Sequence, residues 1–166
     1  MSDESLRLTV LGSATPYPSA DNPCSGYLVS SGDSRIWVDA GNGTLGPLQQ
    51  HVRLDELDAI WISHLHADHS ADLLTAYYGA LYADIRLTAP IPLYGPPGIA
   101  DRLAGFLTNT STRSPIESAF AVTELAEGAT YCCARPRAHT HPTTGSRCTT
   151  PPKTPATLQP PPERAV

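Results

Sequence analysis

Three histidines and an aspartate lie within six residues near the middle of this chain, directly after a short and mostly apolar run, Leu57–Ile62. Neutral imidazole and carboxylate are the ligands that suit zinc and similar divalent metal ions. A strand over the apolar run would be followed by a loop that carries the polar residues and leads to a helix. The pattern is therefore typical of a metal site at the end of a strand. The four residues are His64, His66, Asp68 and His69.

The string His-x-His-x-Asp-His resembles the signature of the metallo-β-lactamase fold superfamily. The resemblance implies that His64 and His66 bind one metal ion and that Asp68 and His69 bind a second. It implies two zinc ions for the complete site, although the same ligands also accept manganese or iron. A histidine directly after the motif aspartate is typical of the hydrolytic branches of this superfamily rather than of the zinc β-lactamases.

The residues before the motif extend the resemblance. Strands are predicted over Leu6–Leu11, Cys24–Val29 and Arg35–Val38, and a hairpin turn joins the last two. This order is similar to that of the amino-terminal half of ribonuclease Z. For Asp39, which follows the third strand, the resemblance implies a role in supporting the site from behind. The residues alone allow a second interpretation, a turn residue that hydrogen-bonds its own backbone.

The residues after the motif predict a helix over Ser70–Arg86 with Ser70 as its N-cap, a strand over Ile91–Tyr94, a helix over Ile99–Leu107 and a strand over Phe120–Leu125. The apolar residues that recur at helical spacing are expected to face the core. They are Leu73, Leu74, Tyr77, Tyr78 and Leu81. The expected fold class is α/β (α+β). By resemblance it is an incomplete metallo-β-lactamase αββα sandwich, mainly the first β-sheet half with its helices.

The composition changes abruptly at Cys132. Residues 132–166 contain eight proline and seven threonine residues but only two large aliphatic side chains. Their net charge is +4 against −9 for residues 1–131, which together give the −5 of the whole chain. So few apolar side chains cannot offset the entropy lost on ordering. The predicted organisation is a metallo-β-lactamase-like domain over residues 1–131 and a disordered Pro/Thr-rich tail over residues 132–166.

Two origins of this tail stay open. A shift of reading frame near Tyr131 in a GC-rich gene would produce it, and a genuine Pro/Thr-rich linker is the alternative. In the resembled family the second half of the domain supplies a distal histidine, a bridging aspartate and a final histidine. This sequence has no aspartate after Asp101. His139 is either the distal histidine or a chance residue of the tail.

Two functions are compatible with these features. The first is a metal-dependent hydrolase, in which a dinuclear zinc centre activates water for attack on an ester or phosphodiester. Asp68 is then the candidate catalytic residue, which orients or deprotonates that water. The second is a truncated and catalytically silent chain that binds metal weakly or not at all. A partner chain that supplies the missing half is a third possibility.

Charge and composition narrow the expected partners. The net charge of −9 over residues 1–131 argues against nucleic acid, because nucleic-acid binding needs Lys and Arg to neutralise phosphates. A small-molecule ester or phosphodiester is the expected substrate, and an uncovered sheet face would allow self-association. The sequence has no apolar run long enough to span a bilayer and no signal-peptide pattern, so a cytoplasmic location is expected.

Overall fold

The computed structural model describes residues 5–83, 85, 87–107 and 111–131. Six strands form one sheet in the order in which they occur along the chain. The strands are β1 (Arg7–Gly12), β2 (Gly26–Ser31), β3 (Ser34–Ala40), β4 (Ala59–Trp61), β5 (Ile91–Gly95) and β6 (Phe120–Glu124). The helices are α1 (Leu45–Gln49), α2 (Ala67–Ser70), α3 (Asp72–Tyr82) and α4 (Ile99–Leu107), with 3₁₀ turns at Leu54–Glu56 and Ile116–Ser118.

The sheet is mixed. Strands β1, β2 and β3 form an antiparallel meander. Strands β3, β4, β5 and β6 run parallel to one another, with helices in the connections between them. Parallel neighbours end at the same edge of a sheet. The residues that follow β3 therefore lie beside the residues that follow β4.

The strand register defines two faces of the sheet. The described helices pack on one of them, which we call the covered face. Its central row is Leu28, Trp37, Ile60, Leu93 and Val122. The other, the open face, presents the row Val10, Tyr27, Val38, Trp61, Tyr94 and Thr123. Both rows are almost wholly apolar.

The hydrophobic core lies between the covered face and the helices. Trp37 and Phe120 are the largest fully buried side chains, and Leu73 of α3 and Ile99 of α4 pack onto the same cluster. Full burial of one such side chain contributes about 1.5–3 kcal/mol. The described residues therefore contain a continuous core, which holds the motif-bearing segment against the sheet.

All six predicted strands are confirmed, but the predicted helix after the motif differs in two respects. A four-residue helix, α2, comes first and ends at Ser70, and α3 ends at Tyr82 rather than at Arg86. Ser70 is not an N-cap, because its Oγ donates a hydrogen bond to the carbonyl oxygen of His66 at 2.9 Å. Nor is Tyr78 a core residue, since it is 48% exposed.

The other residues predicted to face the core differ in how deeply they are buried. Leu73 and Tyr77 are buried, whereas Leu74 and Leu81 are only partly buried.

The predicted tail over residues 132–166, with His139, lies outside the described residues. Within the part of the chain that the structure describes, no helix is long and apolar enough to cross a membrane.

Candidate metal centre

The motif leaves the sheet at the end of β4. The amide of Ile62 still donates to the carbonyl oxygen of Tyr94 on β5, at 2.8 Å, and Ser63 is the first residue beyond this pairing. Helix α2 begins at Ala67, so Asp68 and His69 lie in a helical turn while His64 and His66 lie in the loop before it. The predicted order of strand, loop and helix is confirmed.

The structure brings the four candidate ligands together. The ring centroids of His64 and His66 are 4.9 Å apart, and those of His64 and His69 are 3.9 Å apart. His69 Nε2 lies 3.5 Å from Asp68 Oδ2, and both side chains are less than one-fifth exposed. Three imidazoles and one carboxylate thus form a single cluster at the edge of the sheet.

Asp39 supports this cluster from the end of β3. Its Oδ1 accepts the backbone N–H of Ser63 at 2.8 Å, and its Oδ2 accepts the Ser63 hydroxyl at 2.9 Å. The same Oδ2 lies 2.8 Å from His69 Nδ1. The side chain therefore contacts the motif, which favours the supporting role over that of a simple turn residue.

The backbone of Asp39 adopts an uncommon conformation. Its φ is +55°, in the left-handed region that costs most L-residues roughly 1–2 kcal/mol and that aspartate tolerates better than most. The side chain is buried, with 8% of it exposed. Hydrogen bonds to Ser63 and His69 offset the cost and hold the carboxylate under the motif.

Helix α2 lies unusually close to the loop after β3. A Cβ atom at Gly41 would lie 2.1 Å from the carbonyl oxygen of Asp68, so only glycine allows this approach. The backbone N–H of Ser25 donates to that same oxygen at 3.2 Å. Cys24 is fully buried beside this contact. Burial, followed by the charges of Asp68 and Asp72, raises the pKa of its thiol.

Asp72 ties the first turn of α3 to the segment before α1. Its Oδ1 accepts the N–H of Gly43 at 3.0 Å, and its Oδ2 accepts the N–H of Leu45 at 2.7 Å. The bond to Leu45 is buried and therefore shielded from water, and the bond to Gly43 is partly buried. This carboxylate thus joins the start of α3 to the start of α1, and both of its oxygens bond there.

The donor types fit a zinc-like metal ion. Nδ1 of His64 and Nδ1 of His69 each have a hydrogen-bond partner, which leaves the Nε2 atoms available as ligands. Within the described residues, however, no three His, Cys, Asp or Glu side chains converge as a metal cage. Catalytic zinc usually has three protein ligands and structural zinc four. Within the described residues, the motif therefore does not by itself form a complete set of metal ligands.

A family model described as "Beta-lactamase superfamily domain" matches residues 34–157, which is most of the chain and includes the complete motif. The chain belongs to the β-lactamase superfamily. Its mixed α/β architecture is that of the metallo-β-lactamase fold, as the resemblance implied. The matched range of this superfamily member begins at β3 and continues past residue 131.

Similar proteins include the probable metallo-hydrolase YhfI of Bacillus subtilis, which is 41% identical over 68 residues, or 41% of this chain and 28% of YhfI. Ribonuclease Z of Mycobacterium bovis is 36% identical over 101 residues, or 58% of this chain and 35% of that protein. The chain thus spans roughly a third of the length of these curated relatives.

Comparison with solved structures likewise matches this chain to part of a longer protein. The crystal structure of B. subtilis YhfI aligns with a TM-score of 0.60 and 27% identity, covering 75% of this chain and 46% of that one. The short form of human tRNase Z aligns with a TM-score of 0.56 and 26% identity, covering 70% and 43%. This chain corresponds to less than half of either structure.

Sequence reasoning identified the four candidate ligands and Asp39 but assigned no role to Ser63 or Asp72. Weak signals for both are present in the sequence. A hydroxyl side chain directly precedes the first histidine, and an acidic side chain follows the last histidine by three positions. Their partners lie 24 or more residues away along the chain, so spacing alone does not reveal their contacts.

Proposed function

We propose that this chain carries one half of the metal centre of a metal-dependent hydrolase that acts on an ester or phosphodiester. The observation that carries the proposal is the cluster of three imidazoles and one carboxylate above Asp39. Superfamily membership and the similarity to a probable metallo-hydrolase support the reaction class. The proposal keeps the cytoplasmic location predicted from the sequence.

In this proposal His64 and His66 hold one zinc ion, and Asp68 and His69 hold a second. Bound zinc would supply a Lewis acid and would lower the pKa of water toward neutrality. Asp68 is the candidate catalytic residue, because its carboxylate lies beside the imidazole of His69 and is largely shielded from solvent. A carboxylate in this position can orient a water molecule and accept its proton.

The proposed substrate is a small molecule. Two of the similar proteins are named ribonuclease Z and tRNase Z, and these names indicate that those two proteins act on RNA. Residues 1–131 of this chain carry a net charge of −9, which would repel a polyanion. The charge therefore favours a small ester or phosphodiester over RNA.

A second candidate is a catalytically silent chain that binds metal weakly. The specific observation in its favour is that, among the described residues, no three His, Cys, Asp or Glu side chains are arranged so that they could hold one metal ion. Two ligands per ion would leave each metal weakly held, since catalytic sites typically use three. The two candidates predict different metal contents for the same purified chain.

The test is to purify the full chain, load it with zinc, remove excess metal and measure bound zinc by mass spectrometry. Hydrolysis of bis(p-nitrophenyl) phosphate and p-nitrophenyl acetate is measured on the same samples. The variant His66→Ala removes one proposed ligand. The control, His51→Ala, removes an exposed histidine that follows α1 and lies outside the motif.

The hydrolase is supported by two zinc ions per chain and by turnover that His66→Ala abolishes and His51→Ala leaves intact. One weakly held zinc ion or none, without turnover, would support the silent chain instead. Turnover that survives in His66→Ala would trace the activity to a contaminant and would remove the hydrolase proposal.

A further inference from the structure

Ser63 connects the supporting carboxylate to a second histidine of the motif. Its Oγ lies 2.9 Å from Asp39 Oδ2 and 3.0 Å from His64 Nδ1. Asp39 Oδ2 also lies 2.8 Å from His69 Nδ1. One carboxylate oxygen is thus linked directly to His69 and, through one hydroxyl, to His64.

The positions of the hydrogens in this network follow from donor and acceptor capacity. An ionised carboxylate only accepts, so the hydroxyl hydrogen of Ser63 must point to Asp39 Oδ2. That hydroxyl has no second hydrogen, so the contact with His64 requires a hydrogen on His64 Nδ1. By the same reasoning His69 carries its hydrogen on Nδ1.

Both imidazoles are then in the tautomer that leaves Nε2 with a free lone pair. His64 belongs to one proposed ligand pair and His69 to the other. We propose that Ser63 is a positioning residue that extends the hydrogen bonding of Asp39 Oδ2 to His64, so that one carboxylate oxygen sets the tautomer of an imidazole in each pair. The proposal deepens the proposed metal centre and depends on it for its functional meaning.

The backbone explains why an exposed hydroxyl can hold this position. Ser63 lies at the surface, where water competes for its Oγ. Its own N–H is anchored on Asp39 Oδ1 at 2.8 Å, so the residue contacts both oxygens of one buried carboxylate. This two-point contact fixes Oγ beside the imidazole that follows it in sequence.

The test reads the tautomers directly in the metal-free full chain. Long-range ¹H–¹⁵N spectra of histidine-labelled protein, recorded at about pH 8 where histidine is ordinarily neutral, distinguish Nδ1–H from Nε2–H. Single substitutions of each histidine assign the signals. In the wild-type chain we expect Nδ1–H for both His64 and His69.

Three substitutions separate the two links. Ser63→Ala is expected to release His64 to a mixture of tautomers while His69 keeps Nδ1–H, and Ser63→Thr should restore His64. Asp39→Asn is expected to give a mixture of tautomers for both His64 and His69. The matched control is Ser70→Ala, which removes a hydroxyl bonded to the backbone oxygen of His66 rather than to a ring, and both tautomers should persist.

Zinc affinity provides a second measurement. Loss of a hydrogen-bond partner of a ligating histidine typically weakens metal binding 10- to 100-fold. Ser63→Ala should weaken zinc binding on the order of 10-fold, and Ser63→Thr should recover most of it. Nε2–H on His64 in the wild-type chain, or an unchanged His64 signal in Ser63→Ala, would overturn the proposal. The tautomers are measured without metal, so failure of zinc binding would count against the hydrolase and not against this link.

Discussion

The two faces of the sheet carry similar residues and lie in different surroundings. The chain has two tryptophans, and the register places Trp37 on the covered face and Trp61 on the open face. Trp37 is fully buried, whereas Trp61 is half-buried and stacks on Tyr94 with ring centroids 6.3 Å apart. Parallel strands with apolar residues on both faces are typical of a sheet that is covered on both sides. The strands thus suit a thicker structure than the described residues build.

The largest expected effect comes from truncating each tryptophan. Trp37→Ala should reduce the free energy of unfolding by about 3–5 kcal/mol, because it opens a cavity in the core. Trp61→Ala should cost less, about 1–2 kcal/mol, because part of its side chain is already in contact with water. Urea unfolding followed by circular dichroism measures both, and equal losses would show that the open face is covered in solution.

Trp37→Phe sharpens this experiment. The indole Nε1 of Trp37 is buried and has no hydrogen-bond partner within the described residues. A buried N–H without a partner is unfavourable, and phenylalanine removes it. We expect Trp37→Phe to lose clearly less stability than Trp37→Ala. A loss as large as that of Trp37→Ala would instead show that the size of the indole ring, and not its buried N–H, determines the loss of stability.

A smaller effect is expected from a charge on the open face. Val10 is 59% exposed there, and Leu8 on the same strand is 62% exposed. Apolar faces of this kind favour association. We expect the wild-type chain to self-associate, and we expect Val10→Asp to shift it towards monomer with little change in its urea midpoint.

Analytical ultracentrifugation of the full chain over a range of concentrations provides the measurement. The control is Gln49→Asp, which adds the same charge at an exposed position of α1, outside the sheet. A wild-type chain that stays monomeric at all concentrations contradicts the prediction. An equal shift in Gln49→Asp would trace the effect to net charge rather than to the open face.

The smallest expected effect concerns an exposed ion pair outside both faces. Arg113 donates two hydrogen bonds to Glu117, and these lower the pKa of the Glu117 carboxyl. A lowered pKa in the folded chain contributes stability above the unfolded pKa and loses it as pH falls through the folded pKa. Glu117→Gln should therefore lower the urea midpoint slightly at pH 7 and not at all well below the ordinary glutamate pKa of about 4.3. A midpoint change as large as that of Trp61→Ala would contradict this ranking.

Much of the fold could be predicted from the sequence because its signals are local. Alternation of apolar residues and turn-forming residues located all six strands. The end of α3 could not be located in this way. Ile85 packs against the core although it lies beyond the last helical residue, Tyr82, so the apolar spacing continued after the helix had ended.

The site was predictable only in part, for a related physical reason. The four motif residues are close in sequence, and their side-chain types indicate metal binding without any structure. The contacts of Ser63 and Asp72 depend instead on which strand ends lie side by side. The parallel pairing of β3 with β4 brings Asp39 to Ser63, and no local pattern encodes that pairing.

The close approach at Gly41 has a consequence for engineering. The carbonyl oxygen of Asp68 lies against Gly41 and accepts the N–H of Ser25, while Asp39 binds Ser63 and His69. Asp72, just after the motif, binds the backbone at the start of α1. A peptide that carried the histidine string alone would lack every one of these contacts. The smallest segment that could be transplanted into another scaffold with these contacts therefore extends from Ser25 through the first turn of α3.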